Sequence, residues 1–177
     1  MKKVLVAFKT KYGSTKQYAE WISEELNCSA LPLDQVKSED IKQCDVVVFG
    51  GYLYAGKIMG AEFINNNWPL LQGKEVILFT ASGSPPESQG LKDAFNKGFP
   101  EPVRAKIRYF PMPGRMGKLD LKDNILMLFP RTGAYLSWLV KRDERSKFIA
   151  ESLGKPFDHV KKENIEPLVR EVESIRN

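Results

Sequence analysis

Three short, continuous apolar runs constrain the fold more than any other feature of this chain. They are rich in Val, Ile and Phe, they are followed closely by Gly, Thr or Ser, and they span Val4–Phe8, Val46–Phe49 and Val76–Phe79. Continuous rather than alternating apolar residues are typical of strands buried on both faces, such as the inner strands of a parallel sheet. We therefore expect these runs to form the centre of a sheet that is covered on both sides.

Helical periodicity separates the apolar runs. Residues 15–26, 61–71 and 164–175 carry apolar side chains at spacings of three and four, which is typical of a helix with one buried face. A strand, a helix and another strand at this spacing indicate βαβ units, whose crossovers are right-handed. The sequence therefore predicts an α/β fold with helices on both faces of a parallel sheet.

Two weaker segments are predicted to form the edges of the sheet. Residues 29–33 contain Pro32, which has no N–H to donate to a neighbouring strand. Residues 103–109 alternate apolar and basic side chains, as a strand with one covered and one solvated face does. With the first, third and fourth strands inside, the expected architecture is a doubly wound five-stranded sheet in the order 2-1-3-4-5.

Length and composition favour one globular domain over residues 1–177. With 177 residues, 42% of them hydrophobic, the chain can bury a core without a disulfide or a metal. Cys28 and Cys44 form no CxxC pair and are expected to be reduced thiols of a cytoplasmic protein, and one histidine, His159, offers no metal cluster. The segment 110–153 is atypical, because a predicted Pro- and Gly-rich loop precedes helical, aromatic and basic residues.

The net charge of +5 comes partly from one stretch. Between Lys97 and Lys118, six Lys or Arg residues stand against Glu101 alone. Two interpretations stay open: a solvated basic face, or a docking surface for an anionic substrate, acidic lipid headgroups or an acidic protein. Nucleic acid is not expected, since no binding motif accompanies the charge. Residues 125–142 are similarly open between a helix packed on the sheet and a peripheral membrane contact near a quinone.

In a sheet of this kind, ligands bind at the carboxyl ends of the strands, where the strand order reverses. The segment Thr10–Thr15 follows the first predicted strand and opens the first predicted helix. Thr10, Ser14 and Thr15 supply hydroxyl groups, and Gly13 allows the backbone to turn its N–H groups inward. With the partial positive charge of a helix N-terminus, these residues predict a phosphate-binding loop, although an ordinary βα loop has the same composition.

Two further loops are predicted at the same edge. Residues 50–56 combine three glycines with Tyr52 and Tyr54, which could stack on an aromatic ligand. Residues 81–86 are small and polar and could run along the edge of a ring held by the second loop. Each loop alone is also typical of a surface turn.

Taken together, the three loops resemble the flavodoxin family, whose members bind flavin mononucleotide (FMN). The family's phosphate loop usually reads T/S-x-T-G-x-T after a strand; Thr10, Gly13 and Thr15 match it, whereas Tyr12 and Ser14 differ from the commonest residues. The resemblance implies a flavodoxin-like fold, FMN as the cofactor, and three sets of binding residues. The phosphate set is Thr10, Lys11, Tyr12, Gly13, Ser14 and Thr15; the ring sets are Gly51, Tyr52, Leu53, Tyr54, Ala55 and Gly56, and Ser82, Gly83 and Ser84.

Within this superfamily, the basic charge, the aromatic double-glycine loop and the long segment before the last helix resemble the menaquinone-dependent protoporphyrinogen oxidase group. The resemblance implies electron transfer through the flavin, with a redox protein or a quinone- or porphyrin-type molecule as partner. A protoporphyrinogen oxidase that passes electrons to a quinone is the alternative, although the Pro and Gly of residues 110–118 depart from that group.

Two other classes of protein fit less well. Residues 51–58 nearly match a nucleotide-binding G-x-x-x-x-G-K-[ST] motif, but Ile58 cannot supply the hydroxyl that holds Mg²⁺. A signalling domain of the same architecture without flavin stays open, although the predicted strand ends lack the acidic residues of a phosphorylated receiver. The sequence leaves the oligomeric state open.

Overall fold

The structure is a computed structural model that describes residues 1–117 and 155–176 together with positions 123, 125, 128, 132, 133, 136, 139 and 140. The chain divides into two compact units. One consists of Met1–Arg115 with His159–Asn177, and the other of Met116–Asp158. That residues 1–177 form a single domain stays a prediction.

The first unit is built on a parallel sheet with one antiparallel addition. Its strands are β1 (Val4–Phe8), β2 (Ala30–Pro32), β3 (Val46–Tyr54), β4 (Lys57–Met59), β5 (Glu75–Ser82) and β6 (Ile107–Pro113). The five parallel strands run in the order β2-β1-β3-β5-β6, and β4 pairs antiparallel with β3. This confirms the predicted doubly wound α/β fold and its strand order, with β4 as an unforeseen sixth strand.

Seven helices are described. They are α1 (Ser14–Glu25), α2 (Ser38–Lys42), α3 (Ala61–Asn66), α4 (Trp68–Leu71), α5 (Gln89–Gly98), α6 (Glu101–Arg104) and α7 (Glu166–Arg176), with 3₁₀ turns at Leu33–Gln35 and Lys162–Ile165. The helix predicted over 61–71 is therefore two helices. The Asn67 side chain donates to the Phe63 carbonyl, and Pro69 has no N–H with which to continue the α3 ladder.

Each face of the sheet carries its own hydrophobic cluster. Val47 and Phe49 of β3 belong to one cluster, with residues of α2 to α6. Val46 and Val48 belong to the other, with residues of α1 and α7. All four side chains are at most 2% exposed, so β3 is buried on both faces, as the continuous apolar run predicts.

The strand predicted over 103–109 is wrong at its start. Val103 and Arg104 lie in α6, and the strand begins at Ile107 and runs on to Pro113. Buried Val103 and Ile107 are four residues apart, a spacing that suits a helix as well as an alternating strand. The loop predicted from residue 110 is also wrong for residues 110–113, which belong to β6. These residues can include two prolines because β6 is an edge strand, where proline is tolerated.

The second unit begins and ends near two short strands, β7 (Arg115–Met116) and β8 (Phe157–Asp158), which pair with each other. Within residues 125–142, five described apolar side chains are more than two-fifths exposed: Ile125, Leu128, Leu136, Leu139 and Val140. Apart from Thr132 and Gly133, the rest of that segment lies outside the described residues, so both of its interpretations stay predictions. No helix among the described residues is long and apolar enough to cross a membrane.

Candidate functional site

Three segments follow or extend the carboxyl ends of β1, β3 and β5. The parallel register places Phe8 beside Gly50, and Tyr52 beside Ala81. The strand order reverses between β1 and β3, which is where an open α/β sheet offers a crevice for ligands. The three predicted loops are thus brought to one edge of the sheet.

The first segment turns directly into α1. Gly13 stands at the start of the helix with a φ of 83°, a left-handed conformation that glycine adopts without strain, and its N–H donates to Thr10 Oγ1 at 3.1 Å. No side chain caps the helix. The helical ladder starts with the bond from Gln17 N–H to the Gly13 carbonyl, so the amides of residues 14–16 precede it. This end of α1 therefore carries amides and a partial positive charge that are suited to an anion.

Thr15 connects the first segment to the second. Its side chain is completely buried, and its hydroxyl donates to the Gly51 carbonyl at 3.2 Å. Ser14 beside it is only 5% exposed. In this structure the Thr15 hydroxyl is thus directed at the backbone of β3, whereas the sequence suggested it as a donor to phosphate.

The second segment is a β-hairpin, so the prediction of a loop over residues 50–56 is wrong. Strand β3 continues as far as Tyr54. The turn is formed by Ala55 and Gly56, and β4 then returns with Lys57 opposite Tyr54. Both turn residues have positive φ, 48° and 73°, as the tight turns of two-residue hairpins require. The hairpin also lacks the helix that a nucleotide-binding G-x-x-x-x-G-K-[ST] loop would open.

Gly50 and Gly51 serve close packing rather than turning. A Cβ on Gly50 would collide with the Phe79 ring and would lie 2.8 Å from the Thr15 methyl group. A Cβ on Gly51 would lie 2.6 Å from the Met59 carbonyl oxygen. Glycine in a strand permits such close approach, whereas the sequence pattern alone favours a turn.

The aromatic side chains of the hairpin lie on one face of β3, because Tyr52 and Tyr54 are two residues apart. Their ring centroids are 6.5 Å apart at an interplanar angle of 71°. The ammonium group of Lys11 lies 4.3 Å from the Tyr54 ring centroid and 5.5 Å from that of Tyr12. Leu53 points the other way and packs against the core cluster of Phe49.

The third segment is held by two hydrogen bonds that Ser82 accepts, one through its side chain and one through its carbonyl. Ser82 ends β5, and its Oγ accepts a hydrogen bond from Ser84 N–H at 2.9 Å. Its carbonyl accepts from Gly114 N–H at 2.6 Å, and a Cβ on Gly114 would lie only 3.0 Å from Ser82 N. The Gly114 carbonyl in turn accepts from His159 N–H at 3.1 Å. Gly83, between the two serines, is exposed.

Buried Tyr18 connects α1 to the backbone next to Gly114. Its hydroxyl donates to the Pro113 carbonyl at 2.7 Å and accepts from Asn164 Nδ2 at 2.8 Å. The sequence pattern marks Tyr18 only as a residue on the buried face of α1. Gly114 and Asn164 carry no sequence signal that marks them as supports, since neither periodicity nor a local motif connects residues so far apart in the chain.

Part of the basic stretch is compensated within the fold. Arg108 pairs with Glu75 and, at 2.8 Å, with Glu171. Arg104 donates to the carbonyls of Asn96 and Phe99 at 2.9 and 3.3 Å. The predicted docking surface for an anionic partner stays a prediction, and these two arginines already have partners.

The two thiols lie away from the three segments. Cys28 and Cys44 are both free, and burial raises the pKa of Cys28 from 9.0 to about 11 and raises the pKa of Cys44 as well. Within residues 1–117, 155–176 and the isolated described positions, no group of three or more His, Cys, Asp or Glu residues could hold a metal ion.

Comparison with known proteins gives the family. The model of the flavodoxin domain family matches residues 5–130, well over half of the chain. No curated protein sequence is significantly similar to it.

Several solved structures are similar to the chain at low sequence identity. A WrbA-like flavodoxin from Agrobacterium tumefaciens shares 15% identity over 70% of this chain and 88% of its own, with a TM-score of 0.49. The Trp repressor binding protein from Bacillus subtilis shares 18% sequence identity over 88% of this chain and 100% of its own, with a TM-score of 0.48. Two-electron reduced Megasphaera elsdenii flavodoxin shares 18% sequence identity over 61% of this chain and 82% of its own, with a TM-score of 0.48. From the family match and the strand order, the chain belongs to the flavodoxin domain family.

Proposed function

We propose that this protein binds FMN at the carboxyl edge of its sheet and transfers electrons through the flavin. One observation carries the proposal. An uncapped helix N-terminus, suited to a phosphate, is joined by the Thr15–Gly51 hydrogen bond to a hairpin that carries two tyrosines. An anion site and an aromatic site held together in this way match the two chemically different ends of FMN.

The phosphate end is assigned to residues 10–15. The amides that precede the α1 ladder donate hydrogen bonds to the phosphate oxygens, and the helix end supplies partial positive charge. Thr10 Oγ1 already accepts a bond from Gly13 N–H, so its own hydroxyl proton is available as a donor. Gly13 keeps the turn that orients these groups, because its φ of 83° strains any side chain.

The ring end is assigned to residues 51–56 and 82–84. Tyr52 and Tyr54 are only partly buried and supply aromatic surface on which a flat ring can stack. The backbone of Ser82–Ser84, fixed by its bonds to Ser84 and Gly114, supplies polar groups for the ring edge. When bound, FMN supplies one- or two-electron transfer, and this chain's residues bind it, orient it and tune its potential.

The electron donor and acceptor are proposed as a redox protein or a quinone- or porphyrin-type molecule. The finer alternative, a menaquinone-dependent protoporphyrinogen oxidase, depends on the segment 110–153, most of which lies outside the described residues. Cytoplasmic location and a peripheral membrane contact are likewise proposals.

Flavin titration tests the proposed function. The purified protein, stripped of any bound flavin, is titrated with FMN and with riboflavin, and quenching of flavin fluorescence reports binding. We expect FMN to bind much more tightly than riboflavin, because riboflavin lacks the phosphate that α1 recognises. A folded protein that binds neither flavin would overturn the proposal.

Stepwise reduction of the FMN complex then separates the two redox roles. Consumption of protoporphyrinogen with menaquinone as acceptor would establish the oxidase alternative. Reversible reduction of the flavin without that turnover favours electron transfer to another partner.

A further inference from the structure

The ammonium group of Lys11 is directed at an aromatic ring of the hairpin. It lies 4.3 Å from the centroid of Tyr54, well within the roughly 6 Å over which a cation is attracted to a ring face. The same group is 5.5 Å from the Tyr12 ring. A residue in the phosphate segment therefore touches the tyrosine that the proposed function assigns to the flavin ring.

The Tyr54 backbone is fixed by the hairpin, and its ring contacts both Tyr52 and Lys11. Tyr54 is the last residue of β3, it pairs with Lys57 across the hairpin, and the residues after it form the turn. The Tyr52 ring meets it at 71°, an edge-to-face arrangement. The Lys11 ammonium lies over the Tyr54 ring itself, so this contact favours the ring orientation that turns a face towards the ammonium.

We propose that Lys11 is a positioning residue that holds the Tyr54 ring in place for the flavin and places a positive charge beside it. The inference rests on the proposed function and gives Lys11 a role that its membership of the phosphate loop does not. It makes two claims about this chain: Lys11 and Tyr54 are energetically coupled, and that coupling tightens flavin binding.

The positive charge of Lys11 should also shift the midpoint potential of bound FMN in a defined direction. A cation near the flavin ring stabilises the electron-rich reduced flavin over the oxidised form. The midpoint potential of bound FMN should therefore become more negative when Lys11 loses its charge. Contact and charge are separable, because arginine keeps both, whereas methionine keeps the length of the side chain and loses the charge.

Lys57 provides a matched control. It stands opposite Tyr54 in the hairpin, its side chain is exposed, and it forms no salt bridge or ring contact with any described residue. Lys57→Met thus removes one positive charge from the same hairpin and leaves the Lys11 contact intact.

The experiment has two arms. In the flavin-free protein, a double-mutant cycle of Lys11→Met and Tyr54→Leu is measured by urea unfolding, and a non-additive effect is expected. In the FMN complex, Lys11→Met should weaken binding about 2- to 5-fold, as loss of an exposed cation–π contact predicts. It should also make the potential more negative, whereas Lys11→Arg should retain wild-type affinity and potential and Lys57→Met should retain the affinity.

The outcomes distinguish this inference from the proposed function. If wild-type protein binds no FMN, the proposed function fails, and this inference fails with it. If FMN binds but the cycle is additive, or if Lys11→Met and Lys57→Met weaken binding equally, the positioning role of Lys11 is overturned while the proposed function stands.

Discussion

The hydroxyl of Thr15 donates to the carbonyl of Gly51 across 3.2 Å, in a part of the first unit where the Thr15 side chain has no solvent exposure. The bond joins the first turn of α1 to the middle of β3. It therefore fixes the separation between the proposed phosphate end and the proposed ring end of the site. A hydrogen bond that sets such a distance should affect stability and flavin affinity together.

Replacing Thr15 with valine should reveal this coupling. Valine keeps the branched shape and loses the hydroxyl, so we expect the free energy of unfolding to fall by about 1 kcal/mol. FMN affinity should fall as well, because α1 and β3 lose their direct connection. Thr15→Ser is the control, since it keeps the hydroxyl; its FMN affinity, measured by fluorescence quenching, should stay near wild type. Equal FMN affinities for Thr15→Val and wild type would contradict the prediction.

Gly51→Ala should destabilise the hairpin. The new Cβ would lie 2.6 Å from the Met59 carbonyl oxygen, a backbone atom that no side-chain rotation can move away. We expect a loss of about 1–3 kcal/mol in the free energy of unfolding, measured by urea denaturation, and weaker FMN binding. Gly73→Ala is the matched control, because a Cβ there meets nothing within 4 Å. A stability for Gly51→Ala equal to that of Gly73→Ala would show that β4 can move without cost.

At Gly13 the constraint is conformation and not space. A Cβ there meets nothing within 4 Å, but the φ of 83° is left-handed. Gly13→Ala should therefore lower the free energy of unfolding by about 1–2 kcal/mol, whereas Gly13→Asn should cost less, because asparagine visits this conformation. Chemical denaturation of the three proteins gives the ranking, and a smaller loss for alanine than for asparagine would contradict it.

The Tyr18 hydroxyl should be coupled to the Asn164 amide. Tyr18→Phe removes the donor to Pro113 and the acceptor for Asn164, and we expect a loss of about 1 kcal/mol. In a double-mutant cycle with Asn164→Ala, the two losses should add to more than the loss of the double variant. Strict additivity of the two unfolding free energies would mean that the 2.8 Å contact contributes nothing.

The raised pKa of Cys28 predicts both a reactivity and a pH dependence. Burial raises the pKa of the folded thiol from its ordinary value of 9.0 to about 11, an effect that Arg176 partly opposes. In the Cys44→Ser variant, iodoacetamide should modify Cys28 slowly at pH 8–9, with a rate that rises towards pH 11. In denaturant the midpoint should return to near 9.0.

Stability follows with a defined sign. The folded thiol binds its proton more tightly than the unfolded one, so its contribution is full below pH 9 and is lost as the pH rises towards about 11. The difference in unfolding free energy between the Cys44→Ser protein and the Cys28→Ser/Cys44→Ser protein should therefore decline over that window. A difference that is constant from pH 8 to pH 11 would contradict the raised pKa.

The sheet could be predicted because each inner strand has a recognisable local sequence pattern. A continuous apolar run such as Val46–Phe49 has few structural options, and the confirmed strand order follows from the edge character of the segment around Pro32. The strand predicted over residues 103–109 was wrong at its start because a short alternating pattern also fits one helical turn followed by a strand. Pattern sets the inner strands but leaves such boundaries open.

The meeting of the three segments at one edge of the sheet could be predicted, but their shapes could not. Gly50, Gly51 and Gly56 look alike in the sequence, yet only Gly56 turns the chain, and the other two let a backbone and a ring approach. Which role a glycine takes depends on partners such as Met59 and Phe79, and a sequence pattern does not show them. The Lys11–Tyr54 contact was invisible for the same reason, because a cation over a ring leaves no local trace.

The bonds that hold the third segment also set an order of events during synthesis. Ser82 leaves the ribosome well before Gly114, and Gly114 before His159. Residues 10–15 and the tyrosine hairpin are therefore synthesised before the Gly114 amide that binds the Ser82 carbonyl, and the His159 amide that binds the Gly114 carbonyl comes later still. The backbone of Ser82–Ser84 is thus the last of the three segments to gain all the hydrogen bonds that hold it.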